Sequence, residues 1–152
     1  MLPDDIDVLV VEAEPLEAEL LQRSLGEVAP AERVGIARDG EEALDYLLGR
    51  NAFRHRLGAP VPPVVLLALR LPRLDGIEVL RTLRASPRTA TVPIVILASA
   101  AEPRELAQCY QAGANSCIVK PVEYRALAET LRELGRYWLR LNRPAPSGVA
   151  AG

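Results

Sequence analysis

The sequence predicts a doubly wound α/β domain, a five-stranded parallel sheet with five helices on its two faces. Three observations predict it. Five short runs, among them "IDVLVVE", "VVLLAL" and "PIVILAS", are apolar without alternation, which suits strands covered on both faces. The segments between them carry leucines three and four residues apart, as helices packed on a sheet do. Strand and helix alternate along the whole chain, the pattern of βαβ crossovers.

Each element can be justified in order. Residues 6–12 form the first strand, and Pro15 opens a helix with Leu16, Leu20, Leu21 and Leu25 at helical spacing. "ERVGIA" (32–37) is a weaker second strand. Asp39 is placed to cap a helix over 39–50, with Leu44, Leu47 and Leu48 on one face. "NAFRHRLGAPVPP" (51–63) reads as a long exposed loop. The third strand, from Val64, breaks into "RLPRLDG", where Asp75 and Gly76 read as a turn and cap for a helix over 75–86. A fourth strand (93–99) leads to a helix over 102–113, with Pro103 in its first turn and Gly113 as its stop. A fifth strand (116–120) and a long helix (122–141) follow. A single domain over 1–141 and a disordered tail over 142–152 are expected.

Composition narrows the function. The 152 residues carry a net charge of −2, which argues against a nucleic-acid or membrane-surface protein. No apolar run reaches the roughly 18 residues a membrane span needs. "MLPDDID" has no apolar core of the signal-peptide kind, so a cytoplasmic protein is expected. Cys109 and Cys117 have no nearby histidine and make no metal site. Of the 18 basic residues only Lys120 is a lysine, in "CIVKPVE". His55, the one histidine, has no triad around it.

The pieces "VLVVE", "ARDGEEAL", "LLALRLPRLDGIEVL", "VPIVILAS" and "YQAGANSCIVKPV", in that order over residues 6–135, resemble a response-regulator receiver domain. The resemblance implies a flavodoxin-like sheet of order 2-1-3-4-5, with the site at the carboxyl ends of the strands. It also implies a site chemistry. Two acids after the first strand and an acceptor Asp ending the third hold Mg²⁺. The acceptor attacks a phosphoryl group. A Thr or Ser ending the fourth strand and a Lys ending the fifth bind the new phosphoryl oxygens. An aromatic residue in the fifth strand acts as the switch.

Carried onto this sequence, the acid pair falls on Glu12 and Ala13, the acceptor on Ala68 and the hydroxyl position on Ala98. The Lys position is Lys120, followed by Pro121, and the switch position is Cys117. A methyl group can neither take a phosphoryl group nor ligate a metal, so Mg²⁺ binding is expected to be lost and no cofactor is expected. Glu14 is near enough in sequence to lend a second carboxylate, but in a different direction. Four departures together favour a naturally degenerate receiver over a single engineered exchange at Ala68.

The remaining residues carry smaller expectations. Lys120 is expected to pair with Glu12 across the vacated site, the alternative being a Lys that reaches solvent. Arg70 and Arg73 read as solvated, or with Lys120 as a small-anion site. Ser99 is expected on the opposite face of its strand end. Cys109 reads as helix surface or half-buried packing and Cys117 as a small buried hydrophobe. A redox role for the pair is the lesser reading. Leu127, Leu131, Leu134, Trp138 and Leu141 form a stripe on the last helix, which runs past the sheet's expected end. Tyr124, Tyr137, Trp138, Leu139 and Leu141 are therefore the candidate dimer or partner interface, the alternative being a monomer whose stripe folds fully onto its own sheet. The long proline-rich loop and the "RYWL" ending are similar to the small single-domain regulators that accompany bacterial phytochrome histidine kinases.

The expected function is that of a stand-alone, phosphorylation-independent receiver in two-component signalling, not an enzyme. It is expected to dock on itself as a homodimer, or on a histidine kinase or other signalling protein. The alternatives are a conventional phospho-accepting regulator altered at Ala68, and a small-anion sensor using the emptied pocket.

Overall fold

A computed structural model of the chain describes residues 2–146. Five strands, β1 (Val8–Val11), β2 (Val34–Ala37), β3 (Val64–Ala68), β4 (Ile94–Ala98) and β5 (Ser116–Val119), form one parallel sheet of order β2-β1-β3-β4-β5. Five helices alternate with them: α1 (Pro15–Ser24), α2 (Gly40–Leu48), α3 (Gly76–Ala85), α4 (Pro103–Ala112) and α5 (Tyr124–Arg136). The class and strand order expected from the sequence are those observed.

Strand alternation builds two cores. Leu9, Val11, Val65, Leu67, Ile94 and Ile96 face one side, under α2, α3 and α4. Val8, Val10, Val64, Leu66, Val95 and Leu97 face the other, under α1 and α5. Because both faces are covered, the central strands are apolar throughout.

The predicted helix caps are in place. The Asp39 side chain accepts from the Glu42 N–H at 2.8 Å, and Asp75 accepts from the Glu78 N–H at 3.1 Å. Gly113 ends α4 with φ 110°, a backbone that a side chain would strain. Asp75→Ala should therefore lower stability by about 1 kcal/mol. Urea unfolding checks this, and an unchanged midpoint would show that the cap contributes nothing.

Four expectations need correction. Residues 51–63 are not simply an exposed loop: they begin with a 3₁₀ helix, Asn51–Arg56, in which Phe53 and Arg56 are buried. Phe53 meets Tyr46 edge to face, with ring centroids 5.3 Å apart. The second strand starts later than expected because Ala31–Arg33 form a 3₁₀ turn. The last helix changes to a π turn at Tyr137–Leu141. Trp138 and Leu139 are also not left uncovered, since both rest half-buried on the α1–α5 core. Gly135 allows this: a Cβ there would stand 2.4 Å from a Val28 methyl, so only glycine lets α5 come so close. Residues 142–146 have no regular secondary structure, and 147–152 lie outside the described residues.

Candidate functional site

The strand order reverses between β1 and β3, and a parallel sheet opens a crevice at the carboxyl ends there. The ends of β1, β3, β4 and β5 bring Glu12, Ala68, Ala98 and Lys120 to that crevice. Backbone bonds fix the two charged residues. The Glu12 N–H donates to the Ala37 carbonyl at 3.0 Å, and the Lys120 N–H donates to the Ala98 carbonyl at 2.7 Å. The turn after β3 is equally tight. A Cβ on Gly76 would collide with the Ala68 carbonyl oxygen, so the glycine of "LDG" is needed for close approach.

Lys120 Nζ lies 3.7 Å from Glu12 Oε1 and 3.2 Å from Glu17 Oε2. The Glu12 and Lys120 side chains are each 9% exposed, while that of Glu17, on α1, is 41% exposed. The second Glu12 oxygen accepts from the Glu14 N–H at 3.1 Å. A lysine at a buried strand end needs a counter-charge, and here two carboxylates from different elements supply it. Glu17 was not singled out in the sequence. Its only signal there is an acid in a first helical turn, which the helix dipole favours in any helix.

Above these residues lies a cleft of about 570 Å³, lined also by Glu14, Ser99 and Glu105. Ser99, exposed and one residue beyond the end of β4 at Ala98, is among the residues that line the cleft. Arg70 lines the cleft but is tied to Glu105, whose carboxyl is held below the usual range mainly by the Glu102 N–H and further by Arg70. Arg73 lies outside the lining and reaches Asp39 at 3.4 Å. The cleft holds five carboxylates, Glu12, Glu14, Glu17, Glu102 and Glu105, against the cations Arg70 and Lys120. Both cations are already paired. An anion-sensing pocket therefore finds no support in the charge of the site.

The chemistry of the donors also argues against a metal. Ala13 and Ala68 offer methyl groups, and Glu12 is committed to Lys120 and to the Glu14 N–H. Mg²⁺ requires several hard oxygens in near-octahedral array. Among the described residues no group of three or more His, Cys, Asp or Glu is arranged to hold a metal ion. The residues present do not fit the ion that receiver chemistry uses.

Cys117, on which the family resemblance sets the switch position, is half-buried, and its N–H donates to the Tyr110 hydroxyl at 3.2 Å. Cys109 is fully buried against the core, not at the surface of α4. Of the candidate interface, Tyr124, Tyr137 and Leu141 are 45%, 49% and 68% exposed. Trp138 and Leu139 are half-buried.

Residues 8–132 match the response regulator receiver domain, and the chain belongs to that family, the receivers of two-component signalling. It is 35% identical over 145 residues to a probable methanogenesis regulatory protein, FilR2, of Methanothrix harundinacea, covering 95% of this chain and 91% of that protein. Among solved structures, the phosphorylated cyanobacterial phytochrome response regulator RcpA superposes with TM-score 0.84 at 25% identity, covering 93% of this chain and 99% of that one. A response regulator in red light signalling of R. palustris gives TM-score 0.81 at 31% identity, covering 91% and 97%. The phytochrome likeness read from the proline-rich loop and the "RYWL" ending thus has counterparts among these relatives. Receivers commonly interact with histidine kinases and other signalling proteins. No helix of the described residues is long and apolar enough to cross a membrane.

Proposed function

We propose that this receiver signals without accepting a phosphoryl group, acting through protein–protein contacts in the cytoplasm. The observation that carries this reading is the Glu12–Lys120–Glu17 cluster beside Ala68. The lysine that would bind phosphoryl oxygens is held by carboxylates, and the residue that would carry the phosphoryl group ends in a methyl. On this reading the protein works by binding and not as an enzyme.

Incubation with acetyl phosphate and Mg²⁺, followed by intact mass measurement, should leave the mass unchanged. A stable gain of one phosphoryl group would defeat the proposal. Ala68→Asp alone is also expected to remain unphosphorylated, because Ala13 still deprives the site of a metal ligand. Its phosphorylation would instead favour a conventional regulator altered at one residue.

We infer further that the exposed side chains of Tyr124, Tyr137 and Leu141, with Val122 nearby, form the contact surface of a homodimer. Light scattering on a sizing column should give twice the chain mass, and a monomer at all concentrations would remove this part of the reading.

A further inference from the structure

The outward ridge of α5 is charged in blocks. Glu129, Glu133, Arg136 and Arg140 follow at spacings of four, three and four residues, which keeps them on one face of a helix. All four are exposed, and Arg140 stays exposed in the π turn that continues the helix. They lie across the helix from the buried stripe of Leu127, Leu131 and Leu134. Among the described residues none of the four enters an ion pair, whereas the neighbouring Arg132 is tied to Glu27.

Within one chain this order is unfavourable. Glu129 and Glu133 are like charges four residues apart, as are Arg136 and Arg140, and such pairs oppose a helix. The helix dipole favours the two arginines near the carboxyl end, but it disfavours Glu133 in the last turn of α5. The same order reads with opposite signs from either end. Glu129 lies as far before the Leu134–Gly135 peptide as Arg140 lies beyond it, and Glu133 as far before it as Arg136 beyond.

We propose that this ridge is the recognition surface for a second copy of the chain, its α5 antiparallel, with the two-fold axis beside the Leu134–Gly135 peptide. The proposal rests on the homodimer inferred above and assigns its register. Arg136 of one protomer then faces the partner's Glu133, and Arg140 faces the partner's Glu129. A two-fold interface repeats each contact, so four ion pairs form. Arg and Glu side chains together span the roughly 8–10 Å between packed helix axes. A parallel alignment in register would set every charge against its like. Tyr137, 49% exposed, adjoins Arg136, so the ridge is continuous with the apolar contact surface. Pairs of exposed charges add little affinity, but they fix register and turn away wrong partners.

The test is light scattering on a sizing column and sedimentation equilibrium with the full chain. Glu129→Arg with Glu133→Arg makes the ridge wholly positive. Arg136→Glu with Arg140→Glu makes it wholly negative. Each double variant should raise the dimer dissociation constant about a hundredfold, because four attractions become four repulsions. An equimolar mixture of the two should associate about as tightly as the parent, since every facing pair is again of opposite sign. A chain with all four exchanges should also regain a homodimer. Parent-like circular dichroism is expected throughout, because the four side chains are exposed. Loss of the folded spectrum in either double variant would contradict an outward ridge and overturn the inference. Double variants that dimerise as tightly as the parent would overturn it while leaving the homodimer itself intact. Weakened variants whose mixture does not associate would overturn the register in the same way. A parent chain that is monomeric at all concentrations would remove both readings.

Discussion

Replacing Arg56 with Met is expected to destabilise the domain by about 3 kcal/mol, the largest effect of any single side chain outside the apolar core. Arg56 is 1% exposed although it carries a full charge. Its guanidinium donates to the Tyr46 carbonyl, to the Pro60 carbonyl at 3.1 Å and, less closely, to the Asp4 carbonyl at 3.4 Å. It also lies 3.7 Å above the Tyr46 ring, a cation–π contact. Methionine would keep most of the volume and lose every donor, leaving inward-facing carbonyls without partners. Arg88 extends the same network, donating to Leu47 and to the Arg56 carbonyl. A domain of this size loses about 2–4 °C of Tm per kcal/mol, so thermal unfolding should show a drop of about 6–12 °C. Arg54→Met, two residues away and exposed, serves as the control and should stay within about 0.5 kcal/mol of the parent. Equal shifts for the two variants would refute the role given to Arg56.

Lys120→Met is expected to cost about 2–3 kcal/mol, because it strands the buried Glu12 carboxylate without a counter-charge. Glu17 is far more exposed and returns to water at little cost. The two buried members should therefore be strongly coupled. Glu12→Gln in the Lys120→Met background should recover most of the loss, since a neutral amide can still accept from the Glu14 N–H. A double-mutant cycle by urea unfolding measures this. Additive losses would show that Glu12 and Lys120 do not support one another. Neither variant touches the apolar face offered for dimerisation, so oligomeric state should be unchanged at concentrations where both remain folded.

Much of this architecture could be read from local pattern. The five strands were visible because both their faces are apolar, and Asp39, Asp75 and Gly113 announced helix ends through side-chain and backbone chemistry confined to a few residues. The alanine at the position that the family resemblance assigns to the phospho-acceptor was equally legible, since it depends on which residue stands at Ala68 and not on how it is oriented. Contacts between distant segments were less visible. Arg56 sits among prolines and glycines that signal a loop, and arginine is ordinarily exposed. Its burial depends on carbonyls of Asp4, Tyr46 and Pro60 gathered by the fold. Glu17 meets Lys120 across 103 residues of sequence. Trp138 was misplaced because helix length alone does not reveal that Gly135 lets α5 settle onto Val28.

The bond from the Cys117 N–H to the Tyr110 hydroxyl bears on how molecules of this protein avoid one another. β5 is the outer strand of the sheet, and Val119 on it is 50% exposed. Such a strand is a template on which an extended segment of another chain can add itself and start a fibre or precipitate. The phenol on α4 occupies one of the donors that an incoming strand would need. At Cys117, edge-to-edge stacking must therefore begin by displacing a side chain belonging to the domain itself.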